Sequence, residues 1–156
     1  MRSILLIDHG SVRAEANHML ACMANLVQQM VGGDVLVHYA HMELAEPSIA
    51  DGFAACVRDG ATEVVAFPYM LSPGKHSTRD IPRMVSEAAS AYPTVTYRVT
   101  EAFGMSTELA LVIARRAGVD VVNAAANDAC MCWEPAGKVG SCGAACAGKT
   151  ANASAA

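Results

Sequence analysis

The sequence predicts an α/β fold, a flavodoxin-like parallel sheet of about four strands with helices on both faces. Short apolar runs rich in β-branched residues alternate with longer stretches of helical spacing, four times over. The connections are short, so parallel strands with right-handed crossovers are the economical solution. Strand order 2-1-3-4 then makes the first and third strands neighbours, and such sheets bind ligands in the crevice where the chain reverses direction.

The first strand is the run Ile4-Leu5-Leu6-Ile7, which ends in Asp8-His9-Gly10-Ser11. Ser11 suits an N-cap, and Val12, Ala16, Met19, Met23, Leu26, Val27 and Met30 follow at helical spacing until Gly32-Gly33. Residues 35–39 read as the second strand. Pro47 suits the first turn of the next helix, which carries Ile49, Phe53, Cys56 and Val57 and stops at Gly60. Residues 64–67 form the third strand and run into a loop broken by Pro68 and Pro73-Gly74. After Asp80 a helix carries Ile81, Met84, Val85, Ala88 and Tyr92. Pro93 and a strand over residues 94–99 follow, and a last helix runs from near Ser106 to Gly118. Residues 119–122 read either as a short fifth strand or as an exit from that helix.

The totals narrow the function classes. A chain of 156 residues, 53% hydrophobic and 17% charged, can bury a core as one domain. No apolar run approaches the roughly 20 residues of a membrane span. The N-terminal apolar run is too short for a signal peptide, so a cytoplasmic protein is expected. A net charge of -4 gives no electrostatic footprint for nucleic acid. Beyond residue 123 the composition shifts to Ala, Gly, Ser and Asn, which sets an α/β domain over 1–124 and a Cys-rich, Ala/Gly-rich tail over 125–156.

Of six cysteines, Cys22 and Cys56 lie in helical patterns and read as core, because free cysteine packs as a small hydrophobe. Cys130, Cys132, Cys142 and Cys146 crowd into the tail, and without a secretion signal such clustering points to metal or redox chemistry. Four thiolates suit one centre. The spacing is unlike the C-x2-C pairs of zinc sites and favours an iron–sulfur cluster; a tail with free thiols is the alternative.

His9 follows the first strand and His76 the third, so both should face one sheet edge. Glu43 and Glu46, after the second strand, open on the same edge. Imidazole and carboxylate suit divalent first-row metals, and an incomplete ligand set leaves positions open for exchange. Each residue also has a structural reading, the histidines as caps or hydrogen-bonded supports and Glu46 as a dipole complement. His18, in a helix, and His38, in a strand, read as structural, and His41 stays open. Arg13, Lys75, Arg79 and Arg83 surround the crevice and could grip an acid-rich ligand; an ordinary solvated surface is the alternative. No G-x-G-x-x-G, G-x-x-x-x-G-K-[ST] or G-x-S-x-G pattern supports dinucleotide, nucleoside triphosphate or α/β-hydrolase chemistry.

Three segments are recognisable: Leu-Leu-Ile-Asp-His-Gly-Ser at the start, Met42-Glu43-Leu44-Ala45-Glu46-Pro47-Ser48, and residues 67–82 with His-Ser-Thr-Arg-Asp-Ile-Pro. Over roughly residues 1–118 they resemble the small class II chelatases of tetrapyrrole synthesis, the sirohydrochlorin cobaltochelatase and ferrochelatase family. The resemblance implies insertion of a divalent metal, cobalt or iron, into an acid-rich sirohydrochlorin-type tetrapyrrole during cobalamin or siroheme synthesis. It implies two catalytic histidines at His9 and His76 that also meet the metal, and a homodimer. Neutral imidazole can bind metal or accept a pyrrole proton near neutral pH, with Glu43 assisting. Ser11, Arg13, Lys75, Ser77, Thr78 and Arg79 would hold the ring's polar rim, and Tyr69, Met70 and Leu71 would meet its face. Some members carry cysteine-rich segments with iron–sulfur clusters, which keeps Cys130, Cys132, Cys142 and Cys146 in view as a tail cluster. A non-catalytic tetrapyrrole or metal carrier is the alternative, and a small-anion binder with structural histidines a weaker one.

Overall fold

The computed structural model describes residues 1–122. Its elements are β1 (Arg2–Asp8), α1 (Ala14–Val31), β2 (Val35–His41), α2 (Ile49–Arg58), β3 (Glu63–Pro68), α3 (Ile81–Ala89), β4 (Thr96–Val99) and α4 (Thr107–Ala117). The sheet has the order β2-β1-β3-β4, with every neighbouring pair parallel. This is the order expected from the strand–helix alternation. β1 lies between β2 and β3, and Leu5, Leu6 and Ile7 are all buried, which is why its sequence is continuously apolar instead of alternating. Register brings Ile7 opposite both Ala40 and Pro68, and Asp8 opposite His41, so three strands end level and three loops open at one edge.

Residues Met1–Phe103 form one compact unit, and a second begins at Gly104. In the first unit, one face of the sheet packs through Leu5, Ile7, Ala40, Val64 and Ala66 against Ile49 and Phe53 of α2 and Ile81 and Val85 of α3. The opposite face is covered by α1 through Leu20 and Ala24, which pack with Leu6 and half-buried Met23, Val27, Tyr39 and Phe67. Phe53 is fully buried and stacks on Tyr92 at 5.8 Å, so its truncation to alanine should cost about 3–5 kcal/mol. Gly52 lets α2 lie close, because a Cβ there would sit 2.8 Å from Leu5 Cδ1 and 2.9 Å from Ala40 Cβ. In the second unit, Ser106 caps α4 by accepting from the Leu109 amide at 3.3 Å, and Gly118 ends it in the left-handed conformation at φ 68°.

Local chemistry moves several boundaries from their sequence-based positions. Ser11 is not the N-cap of α1, since the helix begins at Ala14 after Arg13. Asn17 reaches back instead, its Oδ1 accepting from the Ser11 amide at 2.9 Å and its Nδ2 donating to the Ser11 carbonyl at 2.7 Å. Pro47 lies before α2 and not in its first turn; Ser48 is the N-cap and forms a reciprocal capping box with Asp51. β4 begins at Thr96 because Val95 and the preceding residues turn, with the Val95 amide donating to the Tyr92 carbonyl. Tyr92 lies past the end of α3, and residues 119–122 form no strand. Among the described residues no helix is long and apolar enough to cross a membrane. Cys130, Cys132, Cys142 and Cys146, and the boundary expected near residue 124, lie outside the described residues.

Candidate metal and proton-transfer site

At the level edge of the sheet, the loop after β1 carries His9, the loop after β2 carries Glu43, and the loop after β3 leads to His76. The first two loops are tied by backbone: the Met42 amide donates to the Asp8 carbonyl at 2.9 Å and the Glu43 amide to the His9 carbonyl at 3.1 Å. Gly10 permits this approach. It has φ 82°, and a Cβ on it would stand 1.9 Å from the Glu43 carbonyl oxygen, so no larger residue fits.

The backbone arrangement sets His9 Nε2 2.8 Å from Glu43 Oε1, while Nδ1 faces the Gly10 carbonyl at 3.2 Å. A nitrogen and an oxygen at that separation need a proton between them. That hydrogen bond occupies Nε2, which must give it up before this nitrogen can bind a metal. The His9 and His76 rings meet edge to face with centroids 5.3 Å apart.

His76 opens a five-residue π-helical segment, His76–Asp80, closed by donation from the Ile81 amide to the His76 carbonyl. Such widened turns recur at functional sites. Here the turn brings Asp80 Oδ2 within 3.0 Å of His76 Nδ1. A proton fixed on Nδ1 by that carboxylate leaves Nε2 with its lone pair, the usual way a second residue prepares an imidazole for a metal. Burial alone would raise the Asp80 pKa, but Arg79, whose Nε lies 3.0 Å from Oδ1, together with His76 and Lys75, outweighs it and holds the carboxyl below its ordinary range. Asp80 stays an acceptor. Among the described residues no group of three or more His, Cys, Asp or Glu is placed to hold a metal ion. What the edge presents is a pair of imidazoles, one backed by Asp80 and one engaged with Glu43.

The expected site residues separate into those at this edge and those used for packing. His9, Glu43 and His76 come together, as described. Lys75, Arg79 and Leu71 are exposed, Leu71 at 70%. Arg13 is exposed at the start of α1. Arg83 is paired with Glu87 one turn along α3, at 2.6 Å. Tyr69 packs with Phe103 at 5.1 Å on the α1 face, and Met70 packs into the opposite core, so of the three apolar residues only Leu71 is largely free. Ser77 is buried, its hydroxyl accepting from the Gly74 amide at 2.9 Å and donating to the Gly74 carbonyl at 3.2 Å; Thr78 donates to the same carbonyl at 2.8 Å. Both hydroxyls close the loop. Glu46 lies apart, accepting from the Ser48 amide at 2.7 Å. An open cleft of about 790 Å³ adjoins on the α1 flank, lined by Ser11, Asn17, His18, Tyr39, His41 and Glu46 among others. Sequence reading missed Asp80 as the partner of His76, although its i+4 position was the available signal.

Comparison with known proteins places the chain in a family. The model of the CbiX family matches residues 3–118. Sirohydrochlorin ferrochelatase from Arabidopsis thaliana, a chloroplastic protein, is 43% identical over 101 residues, which is 65% of this chain and 44% of that protein. The crystal structure of the Bacillus subtilis sirohydrochlorin chelatase SirB in complex with cobalt is similar with a TM-score of 0.69 and 31% identity, over 75% of this chain and 50% of that one. A CbiX protein structure from Marinobacter aquaeolei is similar with a TM-score of 0.64 and 26% identity, over 76% of this chain and 95% of that one. The chain thus spans about half the length of the curated relatives it matches first.

Proposed function

The chain belongs to the CbiX family of sirohydrochlorin chelatases, and from that membership we propose that it inserts a divalent metal, cobalt or iron, into sirohydrochlorin. The observation that carries the reading is the His9–His76 pair at the end of β1 and β3, with a carboxylate against each ring. Insertion needs a metal stripped of water and held over one face of the macrocycle, and acceptors for two pyrrole protons. His76 Nε2, backed by Asp80, supplies the metal's first nitrogen. His9 hands its shared proton to Glu43 and supplies the second. Half-exposed Glu43 passes the proton it took from His9 to solvent; as the ring nitrogens displace the imidazoles, the freed His9 Nε2 accepts one pyrrole proton and the Glu43 carboxylate the other, so one pair both delivers metal and clears protons. Open coordination positions are what permit this exchange.

Lys75 and Arg79 lie within four residues of His76 and would meet peripheral carboxylates of the ring through charge-assisted hydrogen bonds. Exposed Leu71 would meet its face. A single crevice supplies one wall for a planar macrocycle, and a two-fold pairing of crevices would supply the other, so we assign a homodimer, testable by light scattering at assay concentration. Cys130, Cys132, Cys142 and Cys146 are assigned to an iron–sulfur centre by their number and spacing; iron and acid-labile sulfide that disappear on changing them to serine would support this.

The test is anaerobic incubation of the protein with excess sirohydrochlorin and excess Co²⁺ or Fe²⁺, followed by the absorbance change of the macrocycle. Many equivalents of metallated product per chain are expected. Formation of one equivalent and no more would identify a carrier, and no product with either metal would remove the chelatase reading.

A further inference from the structure

Between β1 and β2, behind the His9–His76 pair, stands a third carboxylate–imidazole pair that none of the steps above uses. His41 is 1% exposed, and its Nδ1 lies 2.6 Å from Asp8 Oδ1. The same Asp8 oxygen accepts from the Gly10 amide at 2.9 Å. One oxygen therefore joins a side chain at the end of β2 to the backbone of the turn that follows His9.

We propose that the Asp8–His41 pair is the positioning element that sets His9 and Glu43 in register, resting on the function proposed above. His9 lies between Asp8 and Gly10, so fixing both neighbours fixes the departure of its side chain. On the other strand, His41 is two residues before Glu43, and its own amide donates to the Pro47 carbonyl at 2.8 Å, which closes the loop that carries Glu43. That loop turns through Leu44 at φ 65°, a conformation a leucine adopts only when its surroundings impose it. The anchors on either side of that strained residue are the Glu43 amide, bonded to His9, and the Pro47 carbonyl, bonded by the His41 amide. The 2.8 Å His9–Glu43 contact is the product of both loops being held at once.

Packing does not account for a histidine at position 41. No described group bonds its Nε2, so the ring carries a buried polar nitrogen without a protein partner, where phenylalanine would fill similar volume without that defect. The Nδ1 bond to Asp8 is what histidine adds. The pair touches neither metal nor ring; it acts through His9 and Glu43.

Two substitutions separate positioning from simple support. His41→Phe keeps the volume and removes the donor. His41→Asn keeps a donor near the Nδ1 position and sacrifices packing, so its melting temperature should fall more. The full chain would be titrated with Co²⁺ followed by visible absorption, then assayed for kcat and KM on sirohydrochlorin. His41→Phe should bind Co²⁺ about 10–100-fold more weakly and lose kcat to a similar extent with KM for the macrocycle held, the usual penalty for removing a residue that orients a ligand. His41→Asn should recover most of both. Affinity that follows melting temperature, with His41→Phe near wild type, would overturn the proposal. If His41→Phe does not fold, Asp8→Ala removes the acceptor from the other side, and wild-type Co²⁺ affinity in that variant would overturn it equally. The titration does not depend on turnover, so a wild-type protein that binds Co²⁺ without inserting it would sink the functional reading and leave this one measurable.

Discussion

His9 and His76 stand edge to face with ring centroids 5.3 Å apart, on loops that leave two hydrogen-bonded strands, β1 and β3. The sheet order alone dictates this meeting, because only with β1 beside β3 do the two loops share a crevice. A carboxylate stands against each ring on a different nitrogen, Asp80 Oδ2 3.0 Å from His76 Nδ1 and Glu43 Oε1 2.8 Å from His9 Nε2.

Glu43→Gln keeps the size of the side chain and removes its capacity to hold a proton. Metal insertion should slow by about 10²-fold or more in kcat, the scale of one lost acid–base partner, with little change in KM for the macrocycle. Steady-state kinetics at saturating metal checks this, and an unchanged kcat would leave the His9–Glu43 contact without a role in proton transfer.

Lys75 is exposed four residues C-terminal to Leu71 and next to His76. Its replacement by alanine should raise KM for sirohydrochlorin while kcat holds, because a cation that grips a peripheral carboxylate contributes equally before and during insertion. A fall in kcat at constant KM would place the lysine in the insertion step.

His38 predicts an acid weakness of the fold. Burial disfavours its imidazolium, Asp59 at 3.4 Å partly offsets this, Arg58 adds to it, and the pKa lies below its ordinary 6.5. The neutral ring is thus the folded form, while the unfolded chain takes up the proton more readily. Its contribution to stability is complete above pH of about 6.5 and is lost as pH falls through that value toward the folded pKa. Melting temperatures measured from about pH 7 to 5 should fall less in His38→Gln than in wild type.

The two cysteines of the described region should differ in reactivity. Cys56 is buried, and burial, only partly offset by the Ser3 hydroxyl, pushes its thiol up to about 11. Cys22 is exposed on α1. Iodoacetamide at neutral pH followed by peptide mapping should alkylate Cys22 in the native protein and Cys56 only after denaturation.

The architecture was legible because its signals are local. The run Ile4 to Ile7 is apolar throughout, as a strand buried on both faces must be, and Gly32, Gly60 and Gly118 fall where helical spacing stops. The convergence of His9, His76 and Glu43 followed from strand order. What stayed hidden depends on register. Asp8 meets His41 only because β1 and β2 pair residue for residue, and Asp80 meets His76 at i+4 within a loop whose widened turn had to be seen for that spacing to count. Tyr69 and Met70, expected to meet the ring's face, are half-buried on opposite faces, as consecutive residues leaving a strand are. Ser11 looked like a cap because nothing in its own neighbourhood shows that Asn17 folds back to hold it.

Multiple-turnover insertion of Co²⁺ into sirohydrochlorin by wild-type protein, His9→Ala and His76→Ala, with folding checked by circular dichroism, tests the proposed mechanism most directly. Wild-type protein should continue past one equivalent of product, and each folded alanine variant should lose about 10²-fold or more in kcat. Two folded variants that both turn over near the wild-type rate would contradict the assignment of metal delivery and proton removal to the His9–His76 pair.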